Sequence, residues 1–147
     1  MNKITAVIVT YNEEDNIRDC IRGLDFADEI IVVDSNSADR TRAIAVAAGA
    51  KVIISEVNYP EHNKNIGIDS AQNSWIFVID ADERVTPSLA DEIKEKVKEG
   101  SFDGYRLYRR NFFLSKEIKH CGWESDSVVR LFRKTKAAIR TNGFTAS

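Results

Sequence analysis

The sharpest chemical feature of the sequence is a pair of carboxylates, Asp80 and Asp82, directly after the apolar run WIFVI at 75–79. In extended backbone, residues i and i+2 project to the same side, so both carboxylates can face one point. Two such groups repel unless a cation sits with them, and an all-oxygen donor set suits Mg2+ or Mn2+. The same residues also read as a solvated acidic turn ahead of the next helix. Two further polar clusters follow apolar runs: Thr10, Tyr11 and Asn12 after ITAVIV (4–9), and Asp34 to Ser37 after IIVV (30–33). The glycine-rich dinucleotide loop, the Walker A lysine loop, H-E-x-x-H and G-x-S-x-G are all missing from the sequence. His62 and His120 stand apart from any Ser or Cys nucleophile pattern and read as surface or packing residues.

The elements that must position these groups alternate. Apolar β-branched runs at 4–9, 30–33, 51–54 and 75–79 predict strands. Asn12 is a candidate N-cap for a helix with Glu13, Glu14 and Asp15 in its first turn and Ile17, Cys20, Ile21 and Leu24 on its apolar face. Ser37 is a candidate cap for a second helix that buries Ile44 and Ala47 and stops at Gly49. Residues 61–73 read weakly as a third helix. Thr86 and Pro87 open the clearest one, with Leu89, Ile93 and Val97 every four residues and Gly100 at its end. This β-α alternation predicts an α/β unit with a largely parallel sheet, in which ligands bind beyond the carboxyl ends of the strands. The polar clusters all fall at that edge. After Gly100, GYRLYRR (104–110) and SVVRLF (127–132) read as strands, with a loop-like segment between them holding Phe112, Phe113, His120 and Trp123.

Composition agrees with one such domain. The chain has 147 residues, 43% hydrophobic and 30% charged, with a net charge of −2. Two prolines and seven glycines exclude collagen-like and low-complexity classes. No run approaches the roughly 20 apolar residues of a membrane span, and acids follow the first apolar run too soon for a signal peptide. Cys20 and Cys121 have no metal-ligand spacing and read as reduced thiols, which predicts a cytoplasmic location. The small net charge hides an asymmetry: residues 1–100 hold 11 basic and 19 acidic residues, residues 101–147 hold 10 and 4. Eight of the 13 aromatic residues also lie in that final part, so two surfaces with different partners are one reading and ordinary variation of surface charge is the other.

Taken together, AVIVTYNEEDNI, EIIVVDSNSADRT and HNKNIGIDSAQNSWIFVIDADE resemble the nucleotide-sugar-binding half of family 2 glycosyltransferases. GYRLYRRNFFL, HCGW (120–123) and VVRLFRK (128–134) resemble a narrower bacterial group that assembles lipopolysaccharide core and related surface glycans. The resemblance implies a GT-A fold: a Rossmann-like three-layer α/β sandwich with a mostly parallel sheet and a β-rich C-terminal addition. It implies one domain, residues 1–100 binding the nucleotide sugar and 101–147 forming part of the acceptor side. It implies an inverting transfer from a nucleoside-diphosphate sugar, a UDP-sugar foremost, to a glycolipid or polysaccharide acceptor, with Mg2+ or Mn2+ as cofactor and no nucleic-acid partner.

Residue by residue, the resemblance places Thr10, Tyr11, Asn12 and Glu13 around the base and Asp34 on the base or ribose. Ser35 departs from the family's commoner Asp-Asp. Lys64 and Asn65 match a basic-Asn pair near the nucleotide, although Lys64 also reads as a helix-surface charge. Asp80 matches the ribose-side acid of the D-x-D motif and Asp82 the more direct metal ligand. The His-Glu pair that usually follows in the narrower group is missing, and the chain is about half the family's usual length, so it reads as the donor-binding portion of a larger enzyme or, alternatively, as a non-catalytic nucleotide-sugar-binding fragment lacking the acceptor half and the general base. An inverting transferase needs one general base, for which Glu124 and Asp126 are the candidates. Arg106, Arg109, Arg110, Arg130, Arg133 and Lys134 would give the acceptor side a charge suited to a phosphorylated glycolipid or to peripheral contact with an anionic membrane.

Overall fold

The computed structural model describes residues 2–101, 103–108, 113–118 and 129–134. His120, Cys121, Trp123, Phe112, Glu124, Asp126, Arg109 and Arg110 lie outside them. Four β-α units run in order: β1 (Ile4–Thr10), α1 (Ile17–Arg22), β2 (Glu29–Asp34), α2 (Thr41–Ala47), β3 (Lys51–Ile54), α3 (Pro60–Ser70), β4 (Trp75–Asp80) and α4 (Pro87–Glu99). Three strands follow, β5 (Gly104–Tyr108), β6 (Phe113–Ile118) and β7 (Val129–Arg133). They join one seven-stranded sheet of order β3-β2-β1-β4-β7-β5-β6. The first four strands are parallel to one another, and β7, β5 and β6 are added antiparallel at the β4 edge.

Alternation along the strands explains the layers. Ile4, Ala6 and Ile8 of β1 and Trp75, Phe77 and Ile79 of β4 share a core with α1, α2 and α4. The intervening Val7, Ile76 and Val78 face the other way, against Ile68 of α3. Helices therefore cover both faces of the sheet, which is why the central strands are apolar throughout. Gly67 lets α3 approach β1 closely: a Cβ there would stand 2.4 Å from Val7 Cγ1.

The helix over 87–99 forms as its sequence dictates. Thr86 Oγ1 accepts the Leu89 N–H, Pro87 occupies the first turn, and Gly100 closes the helix at φ +65°. Three local expectations are corrected. Asn12 does not cap α1, which starts at Ile17; it adopts φ +53° and bonds across to the next loop. Ser37 does not cap α2, which starts at Thr41 and buries Ala45 while Ala47 is exposed. The segment read as a loop after residue 110 contains β6, whose backbone pairs with β5 across a bulge at Arg106/Leu107. In each case a bond to a distant segment outweighs the local signal.

Candidate donor site

Strand register brings the polar clusters to one edge. Thr10 is level with Asp34, Val9 with Asp80, and Asp34 with Ile54, so the carboxyl ends of β1, β2 and β4 line up. A cavity of about 310 Å3 opens there, walled by Val9, Thr10, Tyr11 and Glu13 from β1 and its loop and by Asp80, Ala81 and Asp82 from β4 and its turn. Ser35, Asn58, Pro60, Asn63 and Lys64 complete it. Six of the residues singled out from the sequence thus meet: Thr10, Tyr11, Glu13, Lys64, Asp80 and Asp82. Tyr11 remains 49% exposed, an open aromatic face at the cavity rim. Lys64 makes no ion pair or hydrogen bond among the described residues, so its charge is available to a ligand.

Asn12, Asp34 and Asn65 are not in the cavity wall. Asp34 is fully buried, and its carboxylate accepts from Thr10 Oγ1 (2.8 Å), Ser37 Oγ (2.6 Å), the Ser37 N–H (2.7 Å) and Arg42 (3.1 Å). It acts as a bracket that ties β1 to the loop after β2. Asn12 adds to the same zipper: its N–H donates to Ser37 Oγ and its Oδ1 accepts the Ala38 N–H. The Glu13 N–H donates to Thr41 Oγ1. These bonds set the loop that presents Tyr11 and Glu13. Asn65 Oδ1 is buried and meets no protein donor among the described residues. His62 is exposed, in agreement with its reading as a surface residue.

The acidic turn rests on a buried cation that sequence reasoning missed as a site residue. Arg130 of β7 has a side chain only 2% exposed; it grips Glu83 through two hydrogen bonds, donates to the Val78 carbonyl at 3.1 Å and lies 4.0 Å from Asp80 Oδ2. Glu83 in turn accepts the Asp80 N–H at 2.9 Å. Arg84 ties the turn to α1 through the Ala81 carbonyl and Asn16 Oδ1. Beneath the turn, Cys20 donates its thiol to the Asp80 carbonyl, and burial pushes that thiol up to about 12. The expected basic face shrinks accordingly. Arg130 is internal, Arg133 pairs with Asp103 at 3.3 Å and stacks over Trp75, and Lys134 bonds the Ala71 carbonyl.

Asp80 and Asp82 both line the cavity and offer only oxygen donors, the donor chemistry that suits Mg2+ or Mn2+. No group of three or more His, Cys, Asp or Glu side chains that could hold a metal occurs among the described residues.

Solved structures share this architecture. The chain superposes on Staphylococcus aureus TarS 1–349 with a TM-score of 0.69 at 19% identity, over 90% of this chain and 47% of that one. Glucosyl-3-phosphoglycerate synthase from Mycobacterium tuberculosis, in complex with Mn2+, UDP and glucosyl-3-phosphoglycerate, gives 0.61 at 20% identity over 72% and 43%. The fold is that of the GT-A glycosyltransferases. The profile described as "Glycosyl transferase family 2" matches residues 5–142, and the chain belongs to that family. An uncharacterized glycosyltransferase of Rickettsia typhi is 33% identical over 95% of this chain and 46% of its own length. The lipopolysaccharide core biosynthesis glycosyltransferase LpsC of Rhizobium meliloti is 29% identical over 90% and 52%. The chain thus spans about half or less of the curated relatives it matches. No helix among the described residues is long and apolar enough to cross a membrane.

Proposed function

We propose that this chain is the donor-binding part of an inverting glycosyltransferase that moves a sugar from a nucleoside-diphosphate sugar, foremost a UDP-sugar, to a lipopolysaccharide or other surface-glycan acceptor. One observation carries the reading: Tyr11, Lys64, Asp80 and Asp82 share one cavity at the carboxyl edge of a parallel sheet. Relatives named for lipopolysaccharide core biosynthesis and for glucosyl transfer to an undecaprenol-linked glycan support the acceptor class.

In this reading Tyr11 stacks on the base, with Thr10, Asn12 and Glu13 shaping its surroundings and Asp34 holding that loop. Lys64, next to Asn65 on α3, offsets charge near the nucleotide, and Asp80 lies on the ribose side of Asp82. Asp82 and Asp80 would hold Mg2+ or Mn2+, which when bound supplies charge to offset the departing diphosphate. The acceptor hydroxyl attacks from the opposite face and gives its proton to a base, for which Glu124 and Asp126 remain the candidates. Residues 1–100 serve the donor and 101–147 part of the acceptor side of one domain. The enzyme works in the cytoplasm, at the inner face of the membrane, where basic groups such as Arg106, Arg109 and Arg110 would meet anionic lipid.

A second reading is a nucleotide-sugar-binding fragment without turnover, because every residue lining the cavity falls within residues 9–82. Calorimetry with UDP and Mn2+, beside a donor-hydrolysis assay, separates the two. Metal-dependent binding with hydrolysis supports the enzyme, and binding alone supports the fragment. Absence of any nucleotide binding overturns both.

A further inference from the structure

Asn63, in the first turn of α3, is 1% exposed and forms part of the cavity wall. Its Nδ2 donates to the Val57 carbonyl at 3.0 Å and to Ser35 Oγ at 2.9 Å. A carbonyl can only accept, so the orientation of the amide follows: nitrogen on Val57, oxygen away from it. That oxygen, Oδ1, is buried and meets no protein donor among the described residues. Buried acceptors are rarely left unmet, and one on a ligand cavity points to a donor on the ligand.

The neighbours define which donor. Ser35 Oγ accepts from Asn63 and keeps its own hydrogen to give. Lys64 follows Asn63 on the helix and lines the same cavity, so one wall carries an unmet acceptor, Asn63 Oδ1, and two donors, Ser35 Oγ and Lys64. Uracil presents the complement, an N3–H between two carbonyl oxygens. Cytosine has an acceptor at N3, and guanine sets a second donor beside its N1–H. Asp34 cannot take this role in the structure, because its carboxylate already accepts four hydrogen bonds.

We propose that Asn63 Oδ1 accepts the N3–H of a uracil base and that Ser35 donates to an adjacent carbonyl oxygen, so that this pair, in place of Asp34, sets base specificity. The inference rests on reading the cavity as a nucleoside-diphosphate site. The test is calorimetry of the chain with Mn2+ against UDP, CDP and N3-methyl-UDP, for the wild type and Asn63→Ala, with circular dichroism to verify folding. The wild type should bind UDP about tenfold more tightly than either analogue, the usual effect of one unmet buried group. Asn63→Ala should bind UDP and N3-methyl-UDP alike, and Ser35→Ala should weaken UDP while still rejecting the methylated base. Equal binding of UDP and CDP by the wild type overturns the assignment without need of a variant. Preference for UDP over N3-methyl-UDP surviving in Asn63→Ala also overturns it, and both results leave the cavity reading standing. No binding of any nucleoside diphosphate overturns that reading and this inference with it.

Discussion

Arg130 donates from Nη1 to Glu83 Oε1 at 2.7 Å and from Nη2 to Glu83 Oε2 at 3.1 Å, joining β7 to the turn that holds Asp80 and Asp82. The residues are 47 apart in sequence, and the bond exists because β7 lies antiparallel beside β4. Glu83 passes the constraint on through the Asp80 N–H. The C-terminal strand is therefore part of what shapes the acidic turn.

Breaking that pair from one side leaves a desolvated charge without its partner. Arg130→Met should destabilise the fold by about 3 kcal/mol, while Arg130→Met with Glu83→Gln should recover part of the loss. Urea titration of the three proteins gives the comparison. Equal loss in the single and double variants would show that packing, not charge, is what Arg130 supplies.

Asp82 is exposed on the cavity rim, so its removal costs little structure. Asp82→Ala should lose the Mn2+-dependent part of UDP binding and keep the parent's melting temperature. Binding by the variant as tight as by the parent, with Mn2+ present, would remove Asp82 from the metal site.

Gly67→Ala tests the α3–β1 approach. The new methyl would stand 2.4 Å from Val7 Cγ1 and 3.2 Å from Val33 Cγ2, so helix or strand must shift. Overpacking of this kind costs about 1–3 kcal/mol, read as a lower midpoint in thermal melting. Because β1 leads into Thr10 and Tyr11, nucleotide affinity should fall with it.

Glu29 gives a pH signature. Burial pushes its carboxyl up, but bonds from the Gln72 N–H, Lys51 and Thr5 outweigh burial, and the net shift is downward. A lowered folded-state value means stability that is fully present above the ordinary value of 4.5 and is lost as pH falls through the folded one. Glu29→Gln should therefore be less stable than the parent at pH 7, and the gap should close on acidification below about pH 4.5. Denaturation midpoints at a series of pH values check this; a gap independent of pH would mean that the charge is irrelevant.

Strand order aside, much of the architecture was legible locally. The four apolar runs became β1 to β4, and Thr86, Pro87 and Gly100 bounded α4, because alternation and capping involve residues within one turn or one strand. The three polar strand ends also fell along one edge of the sheet, the edge at which parallel α/β sheets bind their ligands. Asn12 and Ser37 were misread as caps because both side chains spend their bonds across two loops, 25 and 26 residues apart.

By itself, then, the sequence determined the β-α alternation and the family, and it singled out Tyr11, Lys64, Asp80 and Asp82, which line one cavity in the fold; all of this is carried by residue type and short spacing. Tertiary structure alone decided that Asp34 is saturated inside a loop bracket, that Asn63 keeps an acceptor unmet among the described residues, and that Arg130 is buried while Arg133 and Lys134 are bonded to neighbouring segments. The physical reason is common to all three. Whether a polar group is free for a ligand depends on which distant donors and acceptors the sheet brings beside it, and no local pattern records that.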